Sequence, residues 1–315
     1  MSISRAFTFP GQGSQSIGMG RDLAEAFPAA RAVFREVDDA LGQKLTAVMW
    51  DGPEDDLRLT ANTQPALMAV SVAIIRTLEA EAGLDLAAVK FVAGHSLGEY
   101  SALCAAGAID LAATARLLRL RGEAMQRAVP VGEGAMAATL GLANDKVAEV
   151  AEAAAKETGL PVSVANDNAD GQVVISGAKA GVERACELAK EAGARRAMPL
   201  PVSAPFHSAL MQPAAVEMAQ ALKDIEIRTP KVPLVANVRA AAVSDPDEIR
   251  RLLVEQVTGR VRWRESVLYM RDQGVTELVE CGAGKVLTGL TKWIDKSISG
   301  VTVNSADAVK TFADA

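Results

Sequence analysis

Apolar residues recur along this chain in two alternating rhythms, one of short unbroken runs and one of helical spacing. "RAFTF" (5–9) reads as a short strand, and "FPGQGSQSIG" then breaks it with closely spaced glycines. Helical spacing follows at about 21–42 and 62–82. Within the second, "PALMAVSVAII" (65–75) suits a buried helix and is too short to span a bilayer. "AVKFVAG" (88–94) is a compact apolar strand with helices after it. Strands alternating with helices in this way predict a parallel sheet covered on both faces.

The rhythm changes between about 131 and 200. "GAMAATLG" reads as a strand, "NDKVAEVAEAAAKETG" as a helix and "PVSVAN" as a strand. A "DG" turn leads into the strand "QVVISG", followed by the helix "KAGVERACELAKEAG" and the strand "ARRAMPLP". That β-α-β-β-α-β order is the ferredoxin-like split motif. The expected division is therefore a main α/β domain over 1–130 and 200–315, with a ferredoxin-like subdomain inserted at 131–199. Beyond 200, "KVPLVAN" and "VTELVE" are expected to complete the main sheet.

Chemistry enters at "VAGHSLGEYSALCAAG" (92–107), a Gly-x-Ser-x-Gly with a strand before it and a helix after it. A sharp turn there would expose Ser96 Oγ at the carboxyl edge of the sheet, where open α/β folds place their sites. The Leu97 N–H would then point at an oxyanion from the start of the helix. The competing reading makes Ser96 an ordinary N-cap, with Glu99 at capping-box spacing. A nucleophilic serine needs a base, and the chain has only two histidines, His95 and His207. His95 is bonded directly to Ser96, and adjacent side chains diverge on a tight turn. His207, in "PVSAPFHSALMQPA", follows a Pro-rich segment and precedes a helix predicted over 208–222. No acidic residue announces itself as a third member.

"PGQGSQSIGMG" is not a nucleotide fingerprint, because Ser16 stands where Gly-x-Gly-x-x-Gly needs glycine and no Gly-Lys-Ser/Thr follows. It remains a strand-to-helix loop able to supply a second oxyanion donor. The helix predicted over 110–129, with Asp110 as N-cap, carries an apolar stripe from Leu111 to Val129. Arg116 and Arg127 fall opposite that stripe. Arg119 and Arg121 flank it on opposite sides, and either could grip a carboxylate bidentately; periodicity does not choose between them.

Composition narrows the class. The 315 residues are 50% hydrophobic and 23% charged, with a formal net charge of −6, so no overall basic field favours nucleic acid. Cys104, Cys186 and Cys281 form no CxxC pair, so neither zinc nor a disulfide framework is indicated. No apolar secretion-signal core follows the N-terminus. The expectation is a soluble cytoplasmic protein with no metal, no nucleic-acid partner and no membrane partner.

These motifs together resemble the malonyl-CoA:acyl-carrier-protein transacylase family. The resemblance rests on "FPGQGSQ" (9–15), "NTQPAL" (62–67), "GHSLGEYSAL" (94–103), "RLRGEAMQ" (119–126) and "GAMAA" (134–138). "GQVVISG" (171–177), "PVSAPFHSALM" (201–211) and "VECGAGKVLTGL" (279–290) extend it over nearly the whole chain. It implies a hydrolase-like parallel-sheet domain with the ferredoxin-like insertion already read. It further implies Ser96 as nucleophile, His207 as general base and acid, and Arg121 as the arginine holding the free carboxylate of malonate. Gln12 and Leu97 would supply the oxyanion N–H groups. Gln256, in "EQVTGRVRW", would orient the histidine through its backbone carbonyl, and Phe206 would favour malonyl over methylmalonyl.

The implied reaction moves malonyl from malonyl-CoA to the phosphopantetheine thiol of acyl carrier protein through a malonyl-serine, without metal or bound cofactor, in a monomer. An acidic carrier protein calls for a local basic patch. Lys285, Lys292 and Lys296, expected on one face of the last long helix, and Arg195 with Arg196 are the candidates. Three alternatives stay open: a serine esterase or thioesterase, a discrete acyltransferase of a polyketide synthase, and a non-catalytic carrier-protein binder.

Overall fold

A computed structural model describes residues 3–202 and 204–314. Its strands are, in chain order, β1 (Arg5–Phe9), β2 (Phe91–Gly94), β3 (Gly134–Leu140), β4 (Val162–Ala169), β5 (Gln172–Ala178), β6 (Arg196–Pro199), β7 (Leu234–Ala236), β8 (Ala241–Val243), β9 (Glu277–Cys281) and β10 (Ser299–Val303). The larger sheet has the order β10-β9-β1-β2-β7-β8 and is parallel except for β8, which runs antiparallel to β7. The smaller, β4-β5-β3-β6, is antiparallel throughout, the ferredoxin-like arrangement.

Successive residues of β1 and β2 point to opposite faces, and both faces are covered. Phe7, Phe9 and Val92 join a core that includes the helix Thr60–Ala82, whose residues from Ala66 to Ile75 are fully buried. Ala6, Phe91 and Ala93 pack with Trp263, Val267 and Met270 of the helix Trp263–Asp272. Covering on two sides is why these strands read as near-continuous apolar runs, interrupted within β1 by the buried Thr8. The small sheet has its own core, built by Val147, Ile175, Val182 and their neighbours. Hydrogen bonds and an ion pair join the two units along β4. Asp167 N–H donates to the Val261 carbonyl at 2.9 Å, Val261 N–H to Ala165 at 2.8 Å, and Arg264 grips the Asp167 carboxylate at 3.0 and 2.9 Å.

Several elements depart from the sequence reading. The single helix expected at 21–42 is two, Arg21–Ala26 and Pro28–Leu41, separated by an extended Phe27. Proline drives its predecessor out of the helical region and then opens the next helix. The helix expected to carry Lys285, Lys292 and Lys296 spans only Val286–Ile294. The Glu280 carboxylate accepts from the N–H groups of Leu287 and Thr288 at 3.0 and 2.7 Å, fixing its start, and Asp295 is extended at its end. Lys285 and Lys296 therefore flank the helix and do not share a face with Lys292. Asp110 stands at the N-cap position of Leu111–Arg127 but makes no cap bond with its side chain, which pairs with Arg228. Strands β8 and β10 had no expectation attached to them.

Candidate active site

The elbow is built by what its glycines lack. A Cβ on Gly94 would sit 1.9 Å from the Gly98 carbonyl, and one on Gly98 would sit 2.2 Å from the Phe9 carbonyl oxygen. Strand and helix can approach this closely only without side chains at both positions. Between them Ser96 takes φ 53°, a left-handed conformation costly for a non-glycine residue. Asn237, following β7, holds it there: its Oδ1 accepts from Ser96 N–H at 2.8 Å and its Nδ2 donates to the Gly94 carbonyl at 2.6 Å. The capping-box alternative does not hold. Leu97 is the residue preceding the helix Gly98–Ala105, and no side chain caps that helix.

His207 also has a left-handed φ, 55°. Its Nε2 lies 2.7 Å from Ser96 Oγ, while Nδ1 faces the carbonyl oxygens of Gln256 at 2.9 Å and Gly259 at 3.1 Å. Two acceptors at Nδ1 place the ring proton there and leave Nε2 to accept from the serine hydroxyl. Burial, and then the Arg121 charge, push the His207 pKa down to about 3, against the raising effect of the two carbonyls. The imidazole is thus a neutral acceptor. His95 points elsewhere: its Nε2 is 2.8 Å from Asn168 Oδ1 in β4, and its ring lies against Trp263.

Of the two flanking arginines, Arg121 enters the site. A Cβ on Gly122 would lie 2.6 Å from the Thr60 carbonyl oxygen, so the helix Leu111–Arg127 abuts Thr60–Ala82 closely. Arg121 is 1% exposed. Its Nη1 donates to Gln64 Oε1 at 2.8 Å, and its Nη2 to Gln256 Oε1 at 2.8 Å and Ser96 Oγ at 3.1 Å. All three acceptors are neutral, so a buried cation stands beside the serine with no direct carboxylate partner. Arg119 is half-buried and does not line the cleft, Arg116 is exposed, and Arg127 pairs with Glu217 at the surface.

A cleft of about 500 Å³ opens over these groups, reaching Gln12 and Leu97 on one side and Phe206, Met125, Met136, Leu200 and Val202 on the other. The main-chain N–H groups of Gln12 and Leu97 donate no hydrogen bond among the described residues. Asn166 of β4 and Gln64 also line it; neither they nor Asn237 and Glu99 carried any periodic signal in the sequence. Among the described residues no cluster of His, Cys, Asp or Glu is arranged for a metal ion, and the three cysteines are buried and unpaired. No helix among them is long and apolar enough to cross a membrane.

The sequence profile of the acyl transferase domain matches residues 6–300. The chain belongs to the acyl transferase family. Among acyl transferases it is similar to the malonyl CoA-acyl carrier protein transacylase of Escherichia coli K12, at 48% identity over 304 residues, 96% of this chain and 97% of the relative. The crystal structure of the acyl-carrier-protein S-malonyltransferase from Bartonella henselae superposes with a TM-score of 0.96, 58% identity and 99% coverage of both chains. A malonyl-transacylase solved in complex with a type II polyketide-synthase acyl-carrier protein does so at 0.95, with 47% identity and 99% coverage of each.

Proposed function

We propose that this acyl transferase moves malonyl from malonyl-CoA to the phosphopantetheine thiol of an acyl carrier protein, supplying fatty-acid synthesis. One observation carries the choice of acyl group: the buried Arg121 guanidinium beside Ser96, donating to neutral acceptors alone. An acyl chain ending in a free carboxylate supplies the missing counter-charge in a planar geometry that guanidinium matches. The names of the similar enzymes point the same way.

In this reading Ser96 Oγ attacks the thioester carbon while His207 Nε2 takes its proton. The N–H groups of Gln12 and Leu97 receive the tetrahedral oxyanion. Collapse expels the CoA thiolate, which takes the proton back from His207, and leaves malonyl-Ser96. The carrier thiol then gives its proton to His207 and attacks the ester, and the serine oxygen recovers the proton as it leaves. Gln256 orients the imidazole through its carbonyl, and Phe206 narrows the acyl side of the cleft. One site serves both halves, so the kinetics are ping-pong. No metal or bound cofactor takes part. In this reading the enzyme acts as a monomer, and we place it in the cytoplasm with its CoA donor.

Lys285, Lys292 and Lys296, with Arg195 and Arg196, are exposed and make no ion pair among the described residues. We propose these separate basic positions as contacts for an acidic carrier protein, with charge reversal raising the KM for carrier and leaving that for malonyl-CoA alone.

The test is intact-protein mass after brief mixing with malonyl-CoA, acetyl-CoA or methylmalonyl-CoA. A malonyl adduct on Ser96, discharged by carrier thiol, supports the reading. Loss to water at one rate with or without carrier makes the protein a thioesterase, and no adduct at all overturns Ser96. Discharge by a polyketide carrier alone would move the enzyme to that synthesis.

A further inference from the structure

Gln256 meets the site with both of its ends. Its carbonyl accepts from His207 Nδ1 at 2.9 Å, and its side-chain Oε1 accepts from Arg121 Nη2 at 2.8 Å. Arg121 Nη2 donates onward to Ser96 Oγ, and Ser96 Oγ–H to His207 Nε2. The hydrogen bonds close a ring that leaves Gln256 by one end and returns by the other.

The Gln256 carbonyl sets the sense of His207 and, through it, of the Ser96 hydroxyl, while the Gln256 amide has no such setting within the ring. Guanidinium only donates and a carbonyl only accepts, but an amide turned by half a revolution exchanges its oxygen for its NH₂ in almost the same volume. Turned, it would set NH₂ against the Arg121 guanidinium, donor against donor. Behind the ring, out of the cleft, stands Glu99, 1% exposed. Its Oε2 accepts from Gln256 Nε2 at 2.7 Å and from Asn237 N–H at 3.1 Å. Gln256 Nε2 also donates to the Ser96 carbonyl at 3.0 Å. A turned amide would press its oxygen against those two acceptors.

Glu99 has no ion pair among the described residues, and burial raises its pKa to about 7. A buried carboxyl with no direct ion pair is a standing cost, offset in part by the nearby Arg121 charge, and no step of the transfer uses it.

We propose that Glu99 is a positioning residue: by dictating the sense of the Gln256 amide it holds the Arg121 guanidinium aimed at the substrate carboxylate without touching the substrate. The inference rests on the reading of Arg121 as the carboxylate anchor. Its consequence is selective. An acyl group without a carboxylate makes no use of the aim of Arg121, so acetyl transfer is indifferent to Glu99 and malonyl transfer is not.

The experiment measures Ser96 acylation by malonyl-CoA and by acetyl-CoA in wild type, Glu99→Leu, Glu99→Gln, Arg121→Ala and the Glu99→Leu/Arg121→Ala double variant. Glu99→Leu should raise the KM for malonyl-CoA about tenfold, the order expected for one charge-assisted hydrogen bond misdirected. The acetyl rate should move less than threefold. Glu99→Gln, which keeps an acceptor oxygen, should recover most of the malonyl loss. In the Arg121→Ala background Glu99→Leu should add nothing.

Equal losses of malonyl and acetyl transfer, an additive double variant, or a Glu99→Gln as impaired as Glu99→Leu would each overturn the proposal. If Arg121→Ala itself costs both acyl groups equally, the anchor reading has failed first. Should Glu99→Leu not fold, Glu99→Asp draws the carboxylate back from Gln256 Nε2 by one methylene. A malonyl-selective loss there supports the aiming role of Glu99, and an unselective loss or none overturns it.

Discussion

Ser96 Oγ and His207 Nε2 are 2.7 Å apart, and both residues hold a left-handed φ that among the described non-glycine residues recurs only at Ala240. The two strained turns face each other across 111 positions of sequence. Strain of this kind persists where surrounding structure over-determines it. Here the Asn237 side chain holds one turn, and the carbonyls of Gln256 and Gly259 hold the ring on the other.

Arg121→Ala should cost malonyl transfer at least about 100-fold in kcat/KM, about 3 kcal/mol, as expected for a buried charge-assisted contact. Acetyl transfer should persist at a slow rate. Acylation rates for the two CoA esters, compared in one assay, check this; an equal fall in both would remove the selectivity role.

The pH dependence should separate the same two substrates. With its pKa near 3, His207 is neutral in the free enzyme well below pH 6.5, so kcat/KM for acylation should not fall there on its account. Binding a carboxylate at Arg121 cancels the second-largest cause of that depression. The acid limb of kcat should therefore lie at higher pH for malonyl-CoA than for acetyl-CoA. Single-turnover acylation across pH 4 to 8 should show an acid limb for malonyl-CoA and none for acetyl-CoA, and the same profile for both would uncouple Arg121 from His207.

Glu99 gives a stability signature of definite sign. Its folded pKa, about 7, exceeds the ordinary 4.5 because of burial, with Arg121 and two N–H donors opposing. Its contribution is thus full below pH 4.5 and is lost as pH rises through 7. Relative to Glu99→Gln, wild type should lose up to about 3 kcal/mol between those limits. Denaturant unfolding of both proteins at several pH values measures the difference; a constant offset would mean that Glu99 does not titrate in that range.

Gly98→Ala should destabilise by about 3 kcal/mol or more, since the new methyl meets the Phe9 carbonyl oxygen, which belongs to the central strand and cannot yield. The same denaturant assay reads it. A change under about 1 kcal/mol would show that β1 and the elbow helix separate easily.

Much of this protein was legible in one dimension because the governing interactions are local. A strand covered on both faces must read as an apolar run, so β1 and β2 could be located, and the β-α-β-β-α-β rhythm is a succession of neighbours. Gly94 precedes Ser96 for a reason confined to one turn, because a Cβ there would meet the Gly98 carbonyl. The scarcity of histidine singled out His207 before any geometry was known.

Tertiary structure decided what depends on residues far apart. Arg119 and Arg121 are equivalent to periodicity, and the close contact at Gly122 together with Gln64 and Gln256 distinguishes them. Glu99 stands at capping-box spacing from Ser96, yet its carboxyl turns inward to Asn237 and Gln256, over a hundred residues away. The lysines near 290 lost their common face because a glutamate from β9 starts that helix late. Local sequence dictates which conformations a segment prefers; the partner that meets each buried polar group is set only when the two sheets and their helices close over it.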